Sequence, residues 1–319
     1  MRTLYLHIGH GKTGSSFLQS CFALGRGDLA RRGVVYLRHA SLRQAAAGEI
    51  TGGNGRAMIR ALQRPILAPL FAARLRLVKG DVLLSSENLL FPIANRAGDG
   101  RLARFARRAG FDRVKALLFI RDPFDHLPSV FMQQVKRGGF TGGIDATAAA
   151  YRYPALVRKA ILSIEANEGA SLLIRNYSRR RSGIKAVAEA WLGLDEDALP
   201  APPRASVNRS LTAAELAVMA ELNETFGAAA SLVADRLCNG APEHEAAKVG
   251  PSLDAARRMA NRLRGDVEWV NERLADADRY EMKAWAAVVR DEAAPPPLTP
   301  EQSEIVRAAV AELERKRGS

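Results

Sequence analysis

A doubly wound α/β domain with a mostly parallel sheet, followed by a helical C-terminal extension, is the fold this sequence predicts. Three observations point to it. Short apolar, β-favouring runs alternate with segments of helical period through the first two-thirds of the chain. Three of these runs end abruptly in polar signatures, Gly9 to Gly14, Ser85 to Asn88 and Arg121 to Pro123. Beyond about residue 200 the strand signal stops and helical patterns take over.

The elements follow in order. Thr3 to Ile8 is apolar and stops at glycine, so it reads as a buried strand. Phe17, Leu18, Cys21, Phe22 and Leu24 recur at helical spacing and place a helix over 15–32. "GVVYL" (Gly33 to Leu37) is the next strand, and the glycine-rich "AAAGEITGGNG" after it a loop. Helical patterns at 56–63 and 65–78 lead to the strand "DVLLSSENL" (Asp81 to Leu89). A helix over 95–110 precedes the strand "RVKALLFI" (Arg113 to Ile120), and "RDPFDHLPSVFMQQVKRGG" turns into a further helix. A helix over 154–167, the strand "ASLLIRNY" (Ala170 to Tyr177) and a helix over 183–193 complete the sheet region. Strands separated by helices require crossover connections, which makes the sheet parallel. The proline-bearing "LPAPPRASVNRSLT" divides the chain into 1–205 and 206–319. Residues 212–292 read as helical throughout, and "APPPLTPEQ" breaks them from a last helix over 300–316.

The loop Gly9-His10-Gly11-Lys12-Thr13-Gly14 sits between a strand and a helix start. Glycines allow close backbone approach, a helix N-terminus offers unpaired N–H groups, and Lys12 adds a cation. The arrangement predicts a phosphate or sulfate cradle. Gly11-Lys12-Thr13 matches the end of a Walker A loop, but its first glycine should then stand at position 6, which is leucine. The loop is therefore too short to wrap a nucleoside triphosphate, and it suits a smaller terminal group.

Composition narrows the classes. With 47% hydrophobic and 25% charged residues the chain is ordinary for a globular protein. No basic-then-apolar leader opens it, and no apolar run is long enough to span a bilayer, so a cytoplasmic protein without an integral membrane segment is expected. Cys21 and Cys238 are far apart and read as buried apolar residues, and the five scattered histidines make no metal site. Residues 1–150 hold 23 Lys+Arg against 9 Asp+Glu, while the other 169 hold 24 against 25. The excess positive charge therefore lies in the half of the chain that holds the candidate anion loop and favours anionic ligands.

A second anion contact follows the strand ending at Ile120. Arg121 stands first after the strand, facing the ligand edge, and Asp122 before Pro123 is placed to cap the next helix rather than hold magnesium. Ser129, eight residues on, lies two turns along that helix and can add a hydroxyl to the anion bound by Arg121.

Taken together, "GHGKTGSS" and "RDPFDHLPSV" resemble the two signatures of sulfotransferases that use 3′-phosphoadenosine 5′-phosphosulfate, whose fold is P-loop-like. The resemblance extends through "LLSSENL", "LLIRNY", "WLGL" at 191–194 and "NRSLTAAEL" at 208–216, and is closest to the bacterial carbohydrate-type branch. It covers roughly residues 1–220. It implies that the first loop, Gly11, Lys12, Thr13, Gly14, Ser15 and Ser16, binds the 5′-phosphosulfate, while Arg121 and Ser129 bind the 3′-phosphate. It further implies a sulfuryl donor that leaves as 3′,5′-adenosine bisphosphate, and a hydroxyl-bearing acceptor such as a glycan or glycolipid.

Within that scheme Lys12 is expected to offset charge on the leaving phosphate. Glu87, at the end of "LLSSE", is the expected general base, with His10 as its rival. Asn208 and Arg209 are expected to reach the nucleotide, and Lys136 and Arg137 to line the acceptor cleft. His7 is expected in the strand, His126 exposed on the helix after Arg121, and Arg179, Arg180 and Arg181 in a solvated turn. Two other readings compete. A P-loop kinase or nucleotide hydrolase needs a longer loop and a magnesium carboxylate. A basic nucleic-acid-binding module is disfavoured by an aromatic content of only 6%, which leaves few stacking platforms.

Overall fold

The computed structural model describes residues 1–49, 51–95, 100–202, 210–240, 245–282 and 296–318. In chain order the elements are β1 (Thr3–Ile8), α1 (Ser15–Leu24), α2 (Arg26–Arg31), β2 (Val34–Tyr36), α3 (Leu42–Ala46), α4 (Arg56–Gln63), α5 (Ala68–Arg76), β3 (Asp81–Ser86), α6 (Leu90–Ala94), α7 (Arg101–Arg108), β4 (Arg113–Ile120) and α8 (Pro123–Gly138). They continue with α9 (Ile144–Ala150), α10 (Tyr153–Glu165), β5 (Ala170–Asn176), α11 (Tyr177–Arg180), α12 (Ile184–Leu192), α13 (Ala213–Phe226), α14 (Ser231–Gly240), α15 (Leu253–Asn271) and α16 (Pro300–Gly318).

The five strands form one sheet in the order β2-β3-β1-β4-β5, and every adjacent pair is parallel. The fold is α/β, as the alternation of periods predicts. β1 is central and every residue of it is buried, because helices cover both faces. On one face Tyr5, Leu83, Leu117 and Phe119 pack with Leu18, Cys21 and Phe22 of α1 and with Ile184, Ala188 and Trp191 of α12. On the other, Leu4, Leu6, Ile8, Val82, Leu84 and Leu118 are equally buried.

The chain divides into two compact units: Met1–Asp122 with Arg152–Ala205 and Leu263–Tyr280, and Pro123–Tyr151 with Ser206–Arg262 and Glu281–Ser319. The first unit holds the whole sheet. The second is helical, with a core of Phe131, Met132, Val135, Leu211, Met219, Val233, Leu237, Ala309 and Leu313. Its α13 opens with a capping box between Thr212 and Glu215.

Several local expectations are corrected. The helix expected over 15–32 is two helices, because the Gly25 amide closes α1 on the Cys21 carbonyl and a Cβ there would strike Leu199. β3 stops at Ser86 rather than Leu89, since the chain turns into α6. The helix expected over 95–110 is seen as Arg101–Arg108. The span 212–292 is not continuous helix: it is interrupted after α13, at 245–252 and after α15.

Candidate anion-binding site at the carboxyl end of the sheet

β1 lies between β3 and β4, so the three polar segments singled out in the sequence follow three adjacent strands at their carboxyl ends. This is where ligands bind on open parallel sheets. Gly9 prolongs the ladder by donating its N–H to the Ser86 carbonyl at 2.9 Å. The loop then turns through left-handed conformations at Gly11 (φ 75°), Lys12 (φ 50°) and Gly14 (φ 80°). Lysine is rarely held there, so the loop carries backbone strain at the residue expected to face the anion.

Among the described residues, nothing accepts the backbone N–H groups of Thr13, Gly14, Ser15 and Ser16; the first amide satisfied in α1 is that of Leu18, on Gly14. The hydroxyls of Thr13 and Ser15 are buried and likewise have no hydrogen-bond partner. Buried polar groups are ordinarily paired, so this set of donors is available to a ligand.

Arg121 stands at the same place. Its Nη1 donates to the Lys12 carbonyl at 3.1 Å, and its guanidinium lies 5.7 Å from the centre of the Tyr177 ring. Arg181 approaches the same ring at 5.4 Å, and Tyr177 itself packs toward Gly14. The arginine run is therefore not simply solvated: Arg180 donates to the buried Asp278 at 2.9 Å and Arg179 to the Arg279 carbonyl at 2.7 Å. Asp122 receives the Asn176 side-chain amide at 2.8 Å and lies 3.6 Å from Arg179.

Glu87 flanks the loop on the β3 side. A Cβ built on Gly11 would lie 3.6 Å from its Oε1 and 3.7 Å from the Tyr153 hydroxyl, so carboxylate and phenol both face the loop backbone. Tyr153 was not singled out by sequence reasoning; it opens α10, and only the tertiary fold brings it to β1. Burial, and then the charge of Glu87, raise its pKa. The His10 ring packs on Tyr153 with centroids 4.7 Å apart and is 1% exposed. Burial, with a smaller push from Arg121, lowers its pKa to about 3 despite an opposing contact with the Gly11 backbone. His10 is thus neutral across the physiological range.

Behind the site, His7 is buried in β1 as expected, its Nδ1 2.8 Å from Ser85 Oγ, and burial lowers its pKa to about 4. The loop Thr51–Gly55 completes the edge of β3 where β2 ends. Asn54 donates to the Leu83 carbonyl at 2.9 Å and accepts the Ser85 N–H at 2.7 Å, while Thr51 donates to the buried Gln19.

The remaining expected site residues belong to other segments of the chain. Ser129 is on α8 in the second unit, as are Lys136, which is buried, and Arg137, which pairs with Asp235 at 2.5 Å. His126 is corrected from exposed to fully buried, because the chain brings Tyr151 onto α8 with its hydroxyl 2.8 Å from the His126 Nδ1. Asn208 and Arg209 lie outside the described residues. No cluster of three or more metal-ligating side chains occurs among the described residues.

Comparison with protein-family models and with curated proteins gave no match. Among solved structures, the chain is similar to a retinol dehydratase in complex with androsterone and the inactive cofactor PAP. The identity is 14% and the TM-score 0.30, over 98% of this chain and 80% of that one.

Proposed function

We propose that this chain is a sulfotransferase that takes the sulfuryl group of 3′-phosphoadenosine 5′-phosphosulfate and delivers it to a hydroxyl of a glycan, glycolipid or small molecule. One observation carries the reading: unpaired loop amides and two orphaned buried hydroxyls meet Lys12 and Arg121 at the end of β1. That donor set suits a terminal anion too small for a full triphosphate loop. The bound donor supplies an activated sulfuryl group whose transfer leaves charge on the 5′-phosphate.

The residues divide the work. The amides of Thr13, Gly14 and Ser15, backed by the hydroxyls of Thr13, Ser15 and Ser16, hold the 5′ end. Lys12 offsets the charge that develops there. Arg121, with Ser129 as the sequence pattern suggests, holds the 3′-phosphate; Asn208 and Arg209 are assigned to the nucleotide on the same pattern. Glu87 takes the acceptor proton as the new O–S bond forms and the bond from sulfur to the phosphate oxygen breaks. His10 is the weaker base, since a group that protonates only near pH 3 holds a proton poorly at neutrality.

Calorimetric titration with 3′,5′-adenosine bisphosphate in EDTA tests the assignment. Micromolar affinity is expected, weakened about tenfold or more by Lys12→Ala and by Arg121→Ala. Binding that requires magnesium points to a nucleotide-hydrolysing site and refutes it. So does affinity for RNA or DNA that Lys12→Ala leaves unchanged.

A further inference from the structure

α5, the last helix between β2 and β3, is apolar on two opposite faces. α5 turns Ala72 and Leu75 inward, and Phe71 stacks on Phe105 of α7 with centroids 5.7 Å apart. That face accounts for its packing. The other carries Leu70 at 76% exposure and, in the turns flanking the helix, Ile66 and Leu77 at 85% each. With the exposed Ala73 these positions recur at i, i+4, i+7 and i+11, which places them on one stripe. An isolated exposed leucine means little, but three large aliphatics aligned within twelve residues form a patch.

The segment that carries the stripe is charged with one sign. Residues 50–80 contain no Asp or Glu and six Lys or Arg: Arg56, Arg60, Arg64, Arg74, Arg76 and Lys79, all exposed. Arg74 and Arg76 sit about a quarter-turn to either side of the stripe. The adjoining α7 adds Arg104, Arg107 and Arg108, exposed as well. An aliphatic ridge flanked by arginines is the pattern of a segment lying in a membrane interface, with side chains among acyl chains and cations at the headgroups.

We propose that this face docks the protein on the surface of an anionic lipid bilayer. A second copy of the chain fits poorly: a two-fold contact would bring the same cluster of arginines against itself. A lipid surface supplies both the apolar layer and the opposite charge. The stripe is distinct from the loop at the end of β1, and the proposal does not depend on the reaction assigned there.

Co-sedimentation of the full chain with vesicles tests it. The chain is expected to pellet with phosphatidylcholine–phosphatidylserine vesicles, far less with phosphatidylcholine alone, and less as salt rises. The triple variant Ile66→Ser, Leu70→Ser, Leu77→Ser should lower partitioning about tenfold or more. So should Arg74→Gln, Arg76→Gln, Lys79→Gln. Both should keep the thermal midpoint of the parent, since the altered side chains are exposed. The proposal is overturned if the chain ignores anionic vesicles at low salt or if the serine variant binds them as well as the parent. It is also overturned if the stripe instead supports a concentration-dependent dimer that the serine variant abolishes.

Discussion

The contact between Gly9 and Glu87 can be broken with one methyl group. A Cβ at Gly9 would fall 2.2 Å from the Glu87 Cα and 2.8 Å from both the Glu87 carbonyl carbon and the Ser86 oxygen. Carbon atoms pack at about 3.5–4.0 Å, so the two segments would have to separate by more than an ångström. They cannot do so freely, because the Gly9 N–H is bonded to Ser86 and β1 pairs with β3 along its length. The obstacle is backbone, which cannot swing aside like a side-chain end. Gly9→Ala is therefore expected to cost about 3 kcal/mol or more. Gly9 does not have positive φ, so the penalty is steric. Two other glycines isolate the remaining effects. Gly33 has φ 80° and open space around it, so Gly33→Ala should cost only about 1 kcal/mol from the left-handed backbone. Gly52 has neither positive φ nor a neighbour within 4 Å, and Gly52→Ala should be neutral or stabilising by about 0.5 kcal/mol. Urea unfolding of the three variants should rank them in that order, and Gly9→Ala should also lose affinity for 3′,5′-adenosine bisphosphate as Glu87 and the loop are pushed apart. Equal stability for Gly9→Ala and Gly52→Ala would refute the reasoning.

Stability should fall in mild acid. The folded pKa values of His7 and His10 lie near 4 and 3, below the unfolded value of 6.5, so the unfolded chain binds the extra protons. Their contribution is complete above about pH 6.5 and is lost as pH drops toward the folded values, about 3 kcal/mol by pH 4 from His7 alone; urea midpoints unchanged between pH 7 and pH 4.5 would contradict this. On the proposed function, Glu87→Gln should retain affinity for 3′,5′-adenosine bisphosphate while slowing sulfuryl transfer about 100-fold or more, and an unchanged rate would remove Glu87 as the base. Arg2 donates to the carbonyls of Leu75 and Val78 at the end of α5 and of Ala109 and Gly110 after α7, so Arg2→Ala should cost about 2 kcal/mol in thermal or urea unfolding.

Much of the sheet was legible in the chain because its strands are buried on both faces. Thr3–Ile8, Asp81–Ser86 and Arg113–Ile120 read as largely apolar runs, with polar residues gathering where each run ends. Where a glycine intervenes or the chain turns early, the pattern misled: Gly25 splits a predicted helix, and the strand read through Leu89 ends at Ser86. His126 read as exposed from its place on the helix after Arg121, whereas it is fully buried because Tyr151, 25 residues on, covers it.

The sequence by itself determined the alternation of strands and helices, the glycine-rich loop with its lysine after β1, and the arginine that follows β4. Those are local properties, carried by backbone freedom, hydrophobic period and charge within a few residues. Only the tertiary structure decided that β1 stands between β3 and β4, so that Lys12 and Arg121 touch across 109 positions of chain and Glu87 and Tyr153 face the same loop. Strand order and burial arise from packing between distant segments, and no short window of residues encodes which neighbour a strand will find.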